Sequence, residues 1–429
     1  MARKKVVLAY SGGLDTSIAV RWMREQWDLD VVCCAVDVGQ MNAAEHDAIR
    51  ERAMAAGALD IDIIDARDEF ADRFLSEALR ANALYEGKYP LVSALSRPVI
   101  VEHLVASARR HMADGVGHGC TGKGNDQVRF EVSTRTLAPD LEVYAPTRVW
   151  GLTRADCIDL AQQWEIPIEA SKEKIYSIDE NMWGRAIECG VLENPWSAPP
   201  EEPFTMTVNS KDAPSEPREL VVGFERGVPV SLDGESMSLR SIIELVGDAA
   251  GAYGYGRLDM VENRRVGIKS REVYECPASL ALITAHQDLE GICLERDVAR
   301  EKQRVEIRIA ELIYDGLWHS PLMRALQAFV DSTQEHVSGE VRLRLEPGRC
   351  YGVGRRAPKG LYDHDLATYD AGDTFRHEDS AGFVRLWGLS VETWSRRQGP
   401  GARGESARAE RPLGGSRAGD SGPGSKVSK

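Results

Sequence analysis

Apolar runs of strand length alternate with helical patterns through residues 1–165, and no other feature limits the fold as strongly. The runs are Val6–Tyr10, Val31–Val38, Ile61–Asp65, Gly115–Cys120 and Leu141–Ala145. Helical spacing fills the intervals at Leu14–Trp27, Ala43–Ala56, Phe70–Ala83 and Val99–His111, and Arg154–Trp164 follows the last run. Strands joined through helices run parallel, because a parallel return needs a long crossover. The pattern predicts an α/β fold with a doubly wound parallel sheet, binding ligands at the carboxyl ends of its strands.

The first of those ends carries Ala9-Tyr10-Ser11-Gly12-Gly13-Leu14-Asp15-Thr16-Ser17, between a strand and a helix. Two glycines allow a tight bend and a close approach of the backbone to an anion. Ser11, Thr16 and Ser17 supply hydroxyls, and the helix start supplies unpaired N–H groups and partial positive charge. The segment reads as a phosphate cradle. It is not a Walker loop, because no Gly-Lys-Ser/Thr follows, and it is not G-x-G-x-x-G. The plainer reading is a Gly-Gly turn with an Asp15 or Thr16 cap. An acid such as Asp15 inside a phosphate site calls for a cation nearby, which points to Mg²⁺.

A second glycine-rich loop runs from Gly117 to Glu131. Gly117, Gly122 and Lys123 nearly satisfy a Walker loop, but Gly124 stands where a Mg²⁺-binding Ser or Thr is required. What remains offers Lys123, Asn125, Asp126 and Arg129, a set suited to a zwitterionic amino acid: carboxylate to cation, ammonium to Asp126.

Beyond these loops the character changes. Prolines and acids concentrate over 194–217 and read as an exposed connection. Leu220–Val230 and Val341–Leu345 read as antiparallel strands, and Leu239–Ala250, Val298–Tyr314 and Pro321–Ser332 as helices. The expected division is a nucleotide-binding domain over 1–168, an α+β domain over 169–360, a C-terminal segment over 361–395 and a disordered tail over 396–429. The tail consists mainly of Gly, Ser, Pro, Arg and Ala.

Composition excludes several classes. Lys and Arg number 53 against 67 Asp and Glu, a net charge of −14, which argues against a general nucleic-acid or anionic-membrane surface. The nine His and eight Cys show no C-x-x-C or H-x-x-x-H spacing, so no protein-built metal site or disulfide framework is expected. No apolar run approaches the roughly 20 residues of a membrane span. The apolar start ends at Ser11-Gly12-Gly13, too soon for a secretory signal, so a cytoplasmic location is expected.

The segments AYSGGLDTS (from Ala9), HGCTGKGNDQVRFE (from His118), YSIDEN (Tyr176–Asn181), VENRRVGIKSREVYE (Val261–Glu275) and LWHSP (Leu317–Pro321) occur in one order. Together they resemble the argininosuccinate synthase family of N-type ATP pyrophosphatases, from about residue 5 to 395. The resemblance implies an ATP-dependent ligase of arginine biosynthesis. It would condense citrulline with aspartate through a citrullyl-adenylate, yielding argininosuccinate, AMP and pyrophosphate. ATP is implied as co-substrate, with Mg²⁺ held mainly by its phosphates. By motif, Ala9, Tyr10, Ser11, Gly12, Gly13, Leu14, Asp15, Thr16, Ser17, Val36 and Gly119 would hold ATP. Thr121, Asn125 and Asp126 would hold aspartate. Tyr89, Asn125, Arg129, Ser177, Glu262 and Tyr274 would hold citrulline. Asp15, Lys123 and Asp126 would be catalytic. A homotetramer is implied too, with Leu361–Leu366 and Phe383–Trp394 as helices reaching neighbouring subunits.

Taken singly, several of these residues have plainer readings. Tyr89 suits a core, Ser177 with Glu180 suits a capping box, and Glu262 with Arg271 suits a surface ion pair. The chain also departs from the family pattern. Ala94 and Ala186 stand where serines near citrulline are usual, with Ser93 and Arg185 as possible substitutes. Two alternatives follow: another pyrophosphate-loop adenylating enzyme, or an inactive nucleotide-binding regulatory homologue.

Overall fold

The computed structural model describes residues 3–168, 176–370 and 372–398. Strand β1 (Lys5–Ala9) is apolar on both faces. Its Val6 and Leu8 pack with Ile18, Ile49 and Cys157 of the helices Leu14–Trp27, Ala43–Ala55 and Arg154–Gln163. Its Val7 packs with Leu95 and Val99 of the helix Val92–Arg110 on the opposite side. Burial on both faces is what a parallel sheet requires. With β2 (Asp30–Asp37), β3 (Asp60–Asp65), β4 (Gly115–Gly117) and β5 (Glu142–Tyr144) it forms a parallel sheet in the order β3-β2-β1-β4-β5. The strand order reverses between β1 and β4, and both glycine loops leave the sheet there. That is the switch point where doubly wound sheets bind ligands.

The second half contains two antiparallel sheets. One has β6 (Ser177–Asn181), β7 (Gly184–Glu188), β11 (Arg257–Asn263) and β12 (Lys269–Glu275) in the order β11-β12-β7-β6. The other joins β8 (Arg218–Glu225), β9 (Val228–Leu232), β10 (Glu235–Ser236), β13 (Gly339–Glu346) and β14 (Arg349–Arg356). The helices Leu239–Ala252 and Pro277–Cys293 contribute Ile242, Val246, Leu282 and Leu289 to the core that also holds Leu220, Val341 and Leu343 of this sheet.

The β6–β7 hairpin is fastened to the first domain by its turn. Trp183 is buried and donates from Nε1 to the Pro90 carbonyl at 2.9 Å. Asn181 donates from Nδ2 to the Val92 carbonyl at 2.8 Å. Gly39, at φ +107°, lies where a Cβ would meet Met182 at 2.8 Å, and the Met182 N–H donates to Val38 O at 3.1 Å. The four-stranded sheet is thereby seated over the carboxyl end of the parallel sheet.

Several expectations need correction. Leu220–Val230 is two strands, with the chain reversing at Arg226 and Gly227, both at positive φ. The helix expected at Val99 begins at Val92 and carries Pro98 inside it. Phe70–Ala83 is a π-turn, Phe70–Leu75, running into a short helix, Ser76–Arg80. Ser177 lies in β6 and caps no helix. Among the described residues, those up to Tyr362 cluster as one unit and those from Asp363 as another. Described by itself, the second unit has the helices His364–Ala367 and His377–Gln398, so the first helix starts later than Leu361 and the second takes in Arg396–Gln398 of the expected tail. Residues 399–429 lie outside the described residues. Among the described residues no helix is long and apolar enough to cross a membrane.

Candidate active site

The first glycine loop is shaped from outside itself. Gly12 has φ +72°, and a Cβ there would meet Ile49 Cγ1 at 2.8 Å. Arg52 donates from Nη1 to the Gly12 carbonyl at 2.8 Å, so the helix Ala43–Ala55 buttresses the bend. Gly13 is the N-cap of the next helix and uses no side-chain cap, which removes the Asp15/Thr16 capping reading. The first-turn N–H groups of that helix have no intrahelical acceptor and are open to an anion. The Ser11 and Thr16 hydroxyls lie 3.1 Å apart at the mouth, while Ser17 turns inward to the Tyr10 hydroxyl at 2.8 Å. The second loop lies against the first: a Cβ on Gly119 would meet Thr16 Cγ2 at 3.0 Å.

One cavity of about 650 Å³ joins the two loops to the four-stranded sheet. Strand periodicity explains its far wall. Tyr274 pairs with Ala186, which pairs with Asp179, while Glu188 pairs with Ser177 and Glu262 with Ser270. Period-2 alternation then puts Ser177, Asp179, Ala186, Glu188, Glu262, Glu272 and Tyr274 on one face. All seven line the cavity.

Its middle holds a chain of alternating charge. Asp126 accepts from Arg129 Nη1 at 2.8 Å on Oδ1 and from Arg97 Nη2 at 2.8 Å on Oδ2. Arg97 also pairs with Asp179. Burial works to raise the Asp126 pKa, but the Arg97 and Arg129 charges overcome it and hold the carboxyl well below its usual range. Arg129 donates from Nε to the Tyr314 carbonyl at 3.0 Å and lies 5.0 Å from the Tyr314 ring centroid.

The far end is aromatic and acidic. Tyr89 and Tyr274 stack at 4.2 Å, and Tyr314 stacks on Tyr85 at 3.6 Å. Glu262, 2% exposed, accepts from the Tyr314 hydroxyl at 2.5 Å and from the Tyr274 hydroxyl. Tyr274 also lies 2.7 Å from Glu272. A phenol has one proton, so one of the two carboxyl groups must supply a proton to satisfy both contacts. Burial, then the Glu272 charge, pushes the Glu262 pKa up to about 7. Asn125 donates to the Tyr314 hydroxyl at 2.8 Å and accepts from the Arg265 N–H at 2.9 Å. Glu262 is therefore no surface residue, and Arg271 pairs with Asp259 instead.

Among the residues singled out from sequence, Ala9, Tyr10, Ser11, Gly13, Thr16, Val36, Gly119, Thr121, Asn125, Asp126, Arg129, Tyr89, Ser177, Glu262 and Tyr274 line the cavity. Gly12, Leu14 and Ser17 are buried behind the first loop. Asp15 and Lys123 are exposed and do not line it. Arg97, Glu272 and Tyr314 are central to the geometry and were not singled out. Tyr314 ends the amphipathic helix Arg296–Tyr314, where an aromatic reads as core. Among the described residues no group of three or more His, Cys, Asp or Glu is placed to hold a metal ion.

Comparison with known proteins matches the chain to two family models. Residues 5–167 match the Arginosuccinate synthase N-terminal HUP domain, and residues 176–394 the Arginosuccinate synthase C-terminal domain. The chain belongs to the argininosuccinate synthase family. Curated members similar to it include the argininosuccinate synthase of Symbiobacterium thermophilum, 53% identical over 92% of this chain and 98% of that protein. Those of Listeria monocytogenes serotype 4a (51%, over 91% and 96%) and Brevibacillus brevis (50%, over 92% and 94%) are alike. The two alanines that depart from the family pattern occupy different places. Ala186 is on the cavity wall, whereas Ala94 is 1% exposed, outside that wall, and Ser93 lines the cavity beside it.

Proposed function

We propose that this cavity condenses citrulline with aspartate at the expense of ATP, forming argininosuccinate, AMP and pyrophosphate. The observation that carries the reading is the union, in one cavity, of an anion-binding loop, the Arg97–Asp126–Arg129 chain and the Glu262 carboxylate. The first loop and the helix start hold the nucleotide phosphates, with Val36 and Gly119 beside the adenosine. Mg²⁺ carried on those phosphates would supply charge neutralisation there. Arg129 grips the citrulline carboxylate, Glu262 takes its ammonium, and the stacked Tyr89 and Tyr274 wall its stem. Thr121, Asn125 and Asp126 hold aspartate, whose ammonium displaces part of the arginine pairing on Asp126.

The chemistry then runs in two displacements. The ureido oxygen attacks the α-phosphorus, a P–O bond to pyrophosphate breaks, and a citrullyl-adenylate results. The aspartate amine attacks the ureido carbon, the C–O bond to AMP breaks, and the amine loses a proton. Positioning and charge neutralisation supply the acceleration, and no covalent enzyme nucleophile takes part. Incubation with ATP-Mg²⁺, citrulline and aspartate should yield argininosuccinate and AMP in equal amounts; ATP hydrolysis without argininosuccinate would overturn the reading.

Two consequences are specific to this chain. Citrulline binding needs Glu262 ionised, so kcat/KM for citrulline should rise with pH up to about 7 and level off above it. E262Q should abolish that inflection, and a pH-independent wild-type profile would contradict the assignment. A186S should restore a hydroxyl on the cavity wall and lower KM for citrulline by about two- to tenfold, the worth of one neutral hydrogen bond. A94S, off the wall, should leave KM unchanged; equal effects at both positions would contradict their placement.

The same reading includes a cytoplasmic homotetramer with segment 361–395 reaching its neighbours. Exposed Phe383, Leu386, Trp387 and Trp394 on the helix His377–Gln398 support it. Size-exclusion chromatography with light scattering tests it, and a monomer at micromolar concentration would count against it.

A further inference from the structure

Away from the cavity, five buried polar side chains and the half-buried Glu306 form a network whose hydrogen-bond directions can be solved. Lys302, 1% exposed, donates to Glu290 Oε1 at 2.9 Å and to Glu306 Oε1 at 2.7 Å. Asn82 donates from Nδ2 to Glu290 Oε2 and to Glu306 Oε1, both at 2.7 Å. Gln334 donates from Nε2 to Glu290 Oε1 at 2.5 Å. Turning either amide over would set its oxygen against a carboxylate, so the two carboxylates fix both amides. Each amide therefore presents its oxygen to the fully buried His286: Asn82 Oδ1 lies 2.7 Å from Nδ1, and Gln334 Oε1 lies 2.9 Å from Nε2. Amide oxygens only accept, so both ring nitrogens must donate, and only an imidazolium has two N–H groups.

Charge counting agrees. With His286 protonated, the cluster holds two cations and two carboxylates and is neutral. With His286 neutral, it carries a buried net negative charge, which is costly. Burial, with Lys302 and Arg80 in support, draws the imidazole pKa below its usual value against the pull of Glu290 and the Gln334 oxygen. Among the described residues the ring nitrogens have no other hydrogen-bond partner: Glu290 Oε1 lies 3.8 Å from Nε2, Phe224 presents a ring at 6.0 Å, and Arg80 is paired with Asp331. Against the direction set by burial stands the geometry of two acceptors fixed by carboxylates: a neutral ring would leave one amide oxygen facing a lone pair in a dry interior.

The network joins two parts of the cavity wall. Asn82, held at φ +44°, follows the helix Ser76–Arg80 and starts the turn that delivers Tyr85 and Tyr89. Lys302 and Glu306 lie on the helix that ends at Tyr314. We propose that His286 is a buried imidazolium and a positioning residue, locking the Tyr89 turn to the Tyr314 helix at the citrulline end of the cavity. The kinetic consequence rests on the reading of the site given above; the protonation state does not.

The test uses the full chain labelled with ¹⁵N in histidine. At pH 7.5 the resonance lost in H286Q should show a proton on both ring nitrogens; one protonated and one bare nitrogen would overturn the proposal. H286Q should raise KM for citrulline about tenfold while KM for ATP stays within about twofold. An equal rise in both, or none, would overturn the positioning role. If H286Q does not fold, E290Q replaces it: Glu290 orients both amides, so neutralising it should free them to turn and leave the ring with one proton, and a ring unchanged from wild type there would overturn the proposal.

Discussion

R129K should raise KM for citrulline about a hundredfold while leaving KM for ATP within about threefold, measured by pyrophosphate release. Arg129 makes three different contacts from one planar fork: Nη1 to Asp126, Nε to the Tyr314 carbonyl, and its face toward the Tyr314 ring. Lysine keeps the charge but has a single ammonium, which cannot serve Asp126, the helix end and a substrate carboxylate together. Asp126 keeps Arg97 at 2.8 Å, so the carboxylate is not stranded and the fold should survive. An unchanged KM for citrulline would remove Arg129 from the binding site. A parallel loss of ATP affinity would show that it holds the cavity together generally.

The second large effect is expected at Gly12. G12A should lower kcat/KM for ATP about a hundredfold, because a shift near 1 Å in a phosphate site is enough for that loss. The added Cβ meets Ile49 Cγ1 at 2.8 Å in a backbone at φ +72°. Alanine tolerates neither easily, and the Arg52 bond to the Gly12 carbonyl keeps the loop from moving away freely. Isothermal titration with a non-hydrolysable nucleotide separates the effects: weakened binding is the expected result, whereas wild-type binding with slow turnover would assign Gly12 to the chemical step. G122A is the control, since no atom lies within 4 Å of a Cβ at that position.

What could be read from the sequence follows the physics of each element. Strands β1 and β2 are legible because both their faces are apolar, and the edge strand β3 because of Ile61, Ile63 and Ile64. The glycine loops are legible because an anion site demands small residues beside a helix start. The β6, β7, β11 and β12 strands were not foreseen because the cavity claims one of their faces. Ser177, Asp179, Glu188, Glu262 and Glu272 stand where a half-buried strand would show apolar residues, so the alternation is hidden. Arg97 stands in a serine-rich stretch, Ser93–Pro98, that shows no partner for it in sequence; only the fold sets it against Asp126 and Asp179. Tyr314 and the His286 network were out of reach for a different reason: they depend on contacts across long separations, such as Asn82 with Glu306. The motif residues Asp15 and Lys123 show the converse, since their spacing is right while their side chains face solvent.

The most direct measurement is pyrophosphate release from ATP-Mg²⁺ with citrulline and aspartate supplied together and singly. The expected result is release that requires citrulline and proceeds without aspartate, with argininosuccinate appearing only when aspartate is added. Nucleotide binding with no citrulline-dependent release under any combination would contradict a two-step ligase and leave a protein that holds ATP without using it.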